Sequence, residues 1–97
     1  MDEYPELALL KIYIGENQKH EGRPLHEVII QEARKRELTG AMVSRGIMGF
    51  WKYGPVTTSK LLVLSEDLPM SIDIVGDHEN IAAFLPDLEV MIKQGLV

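Results

Sequence analysis

The sequence predicts an α+β protein built on a ferredoxin-like βαββαβ sandwich: an antiparallel sheet with two helices on one face, and an extra strand or hairpin in the connection between the second and third core strands. Three observations predict it. Residues 7–15 alternate with the two-residue period of a half-buried strand. Two later stretches, one starting near Pro24 and one near Asp77, carry apolar residues at helical spacing. Short apolar runs at 41–50, 60–64 and 70–75 lie between those helices, bounded by glycine and proline.

In the first strand, Ala8, Leu10, Ile12 and Ile14 fall on one face, and Leu9, Lys11 and Tyr13 on the other. A polar loop, 16–23, follows. Pro24 suits the first position of a helix, where its missing N–H costs nothing. Leu25, Val28, Ile29 and Ala33 form that helix's apolar stripe, Glu27 and Arg34–Lys35–Arg36 suit its dipole, and Gly40 is the expected stop. Ala41–Phe50 reads as one strand, with Met42 and Met48 on one face and Val43 and Ile47 on the other. Residues 51–59 form an irregular excursion around Gly54-Pro55. Strands at 60–64 and 70–75 flank a turn at 66–69. Asp77 is a suitable N-cap for a helix whose stripe is Ile81, Phe84, Leu85, Leu88 and Ile92, and Pro86 predicts a kink or break within it. Gly95 closes it, leaving a stub of strand. With both helices on one face, Leu9, Tyr13, Val43 and Ile47 would leave the other face apolar unless a second subunit covers it.

Ninety-seven residues suit one domain, 1–97, for which oligomerisation would add stability. A net charge of −5 argues against nucleic acid as a partner, since phosphate binding needs an excess of Lys and Arg. The absence of cysteine excludes disulfides, thiolate metal sites and cysteine nucleophiles. No apolar run approaches the roughly 20 residues of a membrane-spanning helix. The acidic N-terminus lacks the basic start of a secretory signal. A cytoplasmic, non-embedded protein is expected.

The segment 15–23 gathers Gly15, Glu16, Lys19, His20 and Arg23 between a strand end and a helix start, a place that suits an anion or a phosphate. A solvated loop with locally paired charges is the alternative. Arg45, Gly46, Gly49 and Phe50 form a second candidate segment: Arg45 lines a cleft or pairs with a carboxylate, or simply lies on the open side of the sheet, and Gly49 admits close backbone approach or marks a bulge. Trp51, Lys52 and Tyr53 combine two aromatics and a cation in the excursion, as a partner-binding anchor would; folding of Trp51 onto the core is the alternative. His20, His26 and His78 show no metal-ligand spacing, so no metal site is assigned. No nucleophile motif and no phosphate-binding glycine motif is present, so neither an enzyme nor a cofactor is expected.

Two blocks, Ile12–Gly15–Glu16 with Lys19–Leu25, and Gly40–Phe50, resemble an uncharacterised bacterial and archaeal family of PII-like signalling proteins. Leu64–Pro69 and Phe84-Leu85-Pro86 fit it as well, so the resemblance runs from about Leu9 to Val97. It implies a ferredoxin-like homotrimer in signal transduction. It also implies a small anionic or nucleotide ligand in the subunit cleft, and a mobile loop after Phe50 that contacts a partner protein such as a membrane transporter. In the long-established PII proteins that loop begins at a glycine-aromatic-glycine turn; Met48-Gly49-Phe50 resembles its start, but Trp51 stands at the second glycine. The basic and glycine-rich segments that complete their nucleotide site after the second helix have no counterpart before Val97. Alternatives are a constitutive structural or interaction module without ligand, and a metal-binding protein related in fold to divalent-cation tolerance trimers.

Overall fold

The computed structural model describes residues 7–50, 57–58, 68–92, 95 and 97. Among these the elements are, in chain order, β1 (Leu7–Gly15), β2 (Lys19–His20), β3 (Arg23–Pro24), α1 (Leu25–Lys35), β4 (Gly40–Arg45), β5 (Met48–Gly49), β6 (Thr57–Thr58), β7 (Pro69–Asp77) and α2 (His78–Met91). The expected strand at 60–64 lies outside the described residues.

β7 is the middle strand. It pairs antiparallel with β1 from Leu7↔Asp77 to Gly15↔Pro69, and with β4 from Gly40↔Val75 to Arg45↔Met70. The order β1-β7-β4 is the split βαβ arrangement, with the first two core strands parallel and the third inserted between them. Leu10, Ile12 and Ile14 of β1 and Met70, Ile72 and Ile74 of β7 point to one side. There they meet Leu25, Ile29 and Ala33 of α1 and Ile81, Phe84, Leu88 and Met91 of α2 in a single apolar cluster. Full burial of each large aliphatic side chain contributes about 1.5–3 kcal/mol, so this layer supplies most of the driving force for folding. Arg36 clasps the two helices at the rim: it contacts Glu32 at 3.4 Å, pairs with Asp87 and lies 4.7 Å over the Phe84 ring.

Several local expectations are corrected. Residues 19–24 are a tight hairpin rather than a plain loop, because Glu21 and Gly22 both adopt positive φ (51° and 80°), as a type I′ turn requires. Pro24 is the N-cap of α1 rather than its first residue, so the helix starts one residue later than expected, because Pro24 also pairs with Lys19 in that hairpin. The helix ends before Gly40. Glu37 takes φ 57°, its N–H bonds Arg34 O, and the Leu38 N–H bonds Ala33 O, which is a Schellman cap made without glycine. Gly40 instead starts β4. Asp77 is the N-cap of α2 but makes no side-chain capping bond. Pro86 does not break α2, which stays helical from His78 to Met91. Both Pro86 and Ala82, whose carbonyl the proline leaves without its helical donor, are exposed to water.

The run 41–50 is two strands. Gly46 N–H still reaches Pro69 O at 2.7 Å, but the Pro69 ring then fills the space beside the chain: a Cβ on Gly46 or Gly49 would lie 2.9 or 2.8 Å from Pro69 Cγ. The chain turns at Ile47, and β5 pairs with β6 instead of β7. The faces of β4 are also reversed from expectation. Val43 stands opposite Ile72 and packs on the core, whereas Met42 stands opposite Asp73 and is 61% exposed. A one-residue shift of register exchanges the faces of a whole strand, and the mixed composition of Ala41–Ser44 does not resist it.

Beyond α2, Ile92 is extended and Gly95 lies against the outer edge of β1. With φ +145° and Tyr13 O in the path of any Cβ, that position accepts only glycine without strain.

Candidate functional site

Since β1 and β4 are parallel and β7 runs against both, the end of β1, the end of β4 and the start of β7 share one edge of the sheet. Two of the predicted segments, 15–23 and 45–50, meet there. Glu16 follows β1 and its N–H bonds Leu68 O at 2.8 Å, tying it to the approach to β7. Arg45, the last residue of β4, donates from Nη2 to Glu16 Oε1 across the start of β7. Arg45 is exposed and Glu16 half-buried, so the pair is worth at most about 1 kcal/mol of fold stability. Gly46 and Gly49 press on Pro69 at the same end, and Phe50 is exposed. The chain leaves β4 directly after Arg45 of that pair.

The loop after β1 is fixed by Gln18. Its Oε1 accepts from Gly15 N–H at 2.6 Å, and its carbonyl accepts from Leu25 N–H at 2.8 Å. The second bond satisfies one of the orphan donors at the start of α1 in place of a side-chain cap. Beside this knot lies an open hollow of about 510 Å³ lined by Glu16, Asn17, Gln18, Lys19, Pro24 and His26. Lys19 contributes a cation and Glu16 an anion to its wall. His26 Nδ1 is inaccessible to solvent and has no hydrogen-bond partner among the described residues. The start of α1 opens nearby, where unpaired N–H groups favour negative charge.

The remaining predicted residues are more dispersed. Gly15 is buried in β1's last position. His20 lies 3.9 Å from Glu21 of its own hairpin, and Arg23 turns onto α1 to reach Gln31. The structure therefore unites Glu16 and Arg45 with the root of the excursion and places Lys19 on the adjoining hollow, but directs Arg23 and His20 elsewhere. Trp51, Lys52 and Tyr53 lie outside the described residues. Gln18, His26 and Pro69 were not anticipated. A lone glutamine in a polar loop carries no distinctive sequence signal, and His26 reads as an ordinary helix residue. Among the described residues no three His, Asp or Glu side chains converge into a metal-binding group. No described helix is long and apolar enough to cross a membrane.

Comparison with known proteins extends over nearly the whole chain. The model of the DUF190 family, described as "Uncharacterized ACR, COG1993", matches residues 7–97. A "UPF0166 protein" of Aquifex aeolicus (strain VF5) is similar, 33% identical over 81 residues, which are 84% of this chain and 77% of that protein. "UPF0166 protein MJ1524" of Methanocaldococcus jannaschii is 37% identical over 90 residues, 92% of this chain and 82% of its own length.

Proposed function

The chain belongs to the DUF190 family, and from that premise we propose that it is a PII-like regulatory protein rather than an enzyme. In this reading it works in the cytoplasm as a homotrimer joined through the open sheet face. A small anionic or nucleotide ligand binds at the subunit cleft, and the excursion after Phe50 reports its presence to a partner protein. A membrane transporter is the partner that the PII resemblance implies.

The Glu16–Arg45 pair carries the proposal. An anion held by Lys19 competes with Glu16 for the guanidinium of Arg45. Arg45 is followed directly by Gly46, whose N–H holds Pro69 O, so a change at Arg45 is felt where the excursion leaves the sheet. To act as a switch, the ligand must prefer one arrangement of this root over the other.

A thermal-shift screen of nucleotides and inorganic anions tests this. A ligand at a hundred times its Kd stabilises by about 2.7 kcal/mol, which for a domain of this size raises Tm by roughly 10 °C or more. Lys19→Ala and Arg45→Ala should abolish the shift. If no nucleotide or anion moves Tm, the ligand-sensing reading is to be abandoned.

One observation favours a second reading, a constitutive interaction module: Arg23 and Arg45 are already engaged by Gln31 and Glu16. That reading expects no ligand-induced shift and unchanged partner binding in both alanine variants.

A further inference from the structure

The open face of the sheet carries a charged pair at its centre. Lys11 on β1 and Asp73 on β7 are register partners, with Nζ 3.3 Å from Oδ1. Around them stand Leu9 and Tyr13 along β1, Val75 along β7, and Met42 across from Asp73 on β4. The lysine side chain is 51% exposed and the aspartate 30%. Asp73 Oδ1 is itself shut off from solvent and receives no directed hydrogen bond among the described residues, so its contact with Lys11 is ionic only. The pair, with the lysine as its more exposed member, is the only charge among these residues on a face otherwise made of apolar side chains and the serines Ser71 and Ser44.

We infer that Lys11 and Asp73 set the register in which copies of this chain join through the open face, with Lys11 of one copy lying against Asp73 of the partner subunit. The inference rests on the homotrimer proposed above and adds the residues that select its geometry. Charge complementarity identifies the occupant as a second copy. A face bearing one cation and one anion side by side can offer its cation to one neighbour in a ring of copies and receive a cation from the other, whereas an anionic membrane would be met by an excess of cations. Neutral flanks of Leu9, Tyr13, Met42 and Val75 exclude water from the pair as the faces close. Desolvating such a pair adds little net affinity compared with apolar residues of the same size; its use is to penalise every register that leaves a charge alone.

Light scattering of size-fractionated protein tests this, applied to wild type, K11E, D73K, K11E/D73K and an equimolar mixture of the two single variants. Each single variant places like charges together and should raise the concentration of half-dissociation on the order of a hundredfold. The double reversal should recover the wild-type mass, and the mixture should assemble at a lower concentration than either single variant, because a ring of three still leaves one of its contacts like-charged. K11M/D73L should remain assembled but with a broadened mass distribution, and circular dichroism should show every variant folded. The inference is overturned if the single variants assemble like wild type, if the double reversal fails to recover the wild-type mass, if the mixture assembles no better than the single variants, or if K11M/D73L gives one sharp mass. A monomeric wild type overturns the homotrimer as well and leaves the face to a different partner; an assembled wild type with indifferent variants overturns the register role alone.

Discussion

The two faces of the central sheet are made from the same strands, residue by residue in alternation, yet they obey different rules. On the helix-covered side β1 and β7 offer Leu10, Ile12, Ile14, Ile72 and Ile74, all buried. On the other side the same strands offer Leu9, Lys11, Tyr13, Ser71, Asp73 and Val75, joined by Met42 and Ser44 of β4. The covered face contains only carbon-rich side chains, as a closed core does. The open face mixes apolar residues with one matched ion pair, and Leu9 there is still 58% exposed. A surface meant for water has little use for Leu9, Met42 and Tyr13 together, while a core has little use for Lys11 and Asp73. Such a mixture is typical of an interface, where an apolar centre gives affinity and a few polar groups give specificity.

Substitutions on the two faces should therefore separate fold stability from assembly. The largest effect on stability is expected for Ile72→Ala, at the middle of the covered face: about 2–5 kcal/mol lost in chemical denaturation. At the sheet end, Gly46→Ala forces a Cβ into the Pro69 ring and should cost about 1–3 kcal/mol by the same measurement. In the helix layer, Arg36→Ala removes the contact over the Phe84 ring and the partly exposed pairs to Glu32 and Asp87, for a loss of roughly 1–2 kcal/mol. Smallest should be Leu9→Gln on the open face, which should change the unfolding free energy of dilute protein by less than about 0.5 kcal/mol. The contrast fails if Leu9→Gln destabilises the dilute chain as much as Ile72→Ala.

The covered face was legible because its signal is redundant. The β1 alternation and both helical stripes repeat often enough to fix which residues turn inward, and Met91 was the one buried helix residue left out of them. The faces of β4 were not, since Ala41, Met42, Val43 and Ser44 tolerate either orientation and only pairing with β7 decides. Helix ends were misjudged where a backbone device replaced the usual residue: Glu37 does the work assigned to Gly40, and the Gln18 carbonyl caps α1 where no side chain does. At the candidate site, the residue types in each segment were visible, but the pairing of Glu16 with Arg45 was not. They are separated by 29 residues, and only the insertion of β7 between two parallel strands brings them to one edge. Nothing local in Pro69 announces that two glycines must pass over it.

Self-association through the open face is the claim on which the subunit-cleft site depends. The direct measurement is the molar mass of the wild-type protein by light scattering at micromolar concentration. The account predicts three times the 10.9 kDa chain mass, falling to the single-chain mass when Leu9 and Met42 are both replaced by glutamate. A wild-type protein that elutes at the single-chain mass would contradict it.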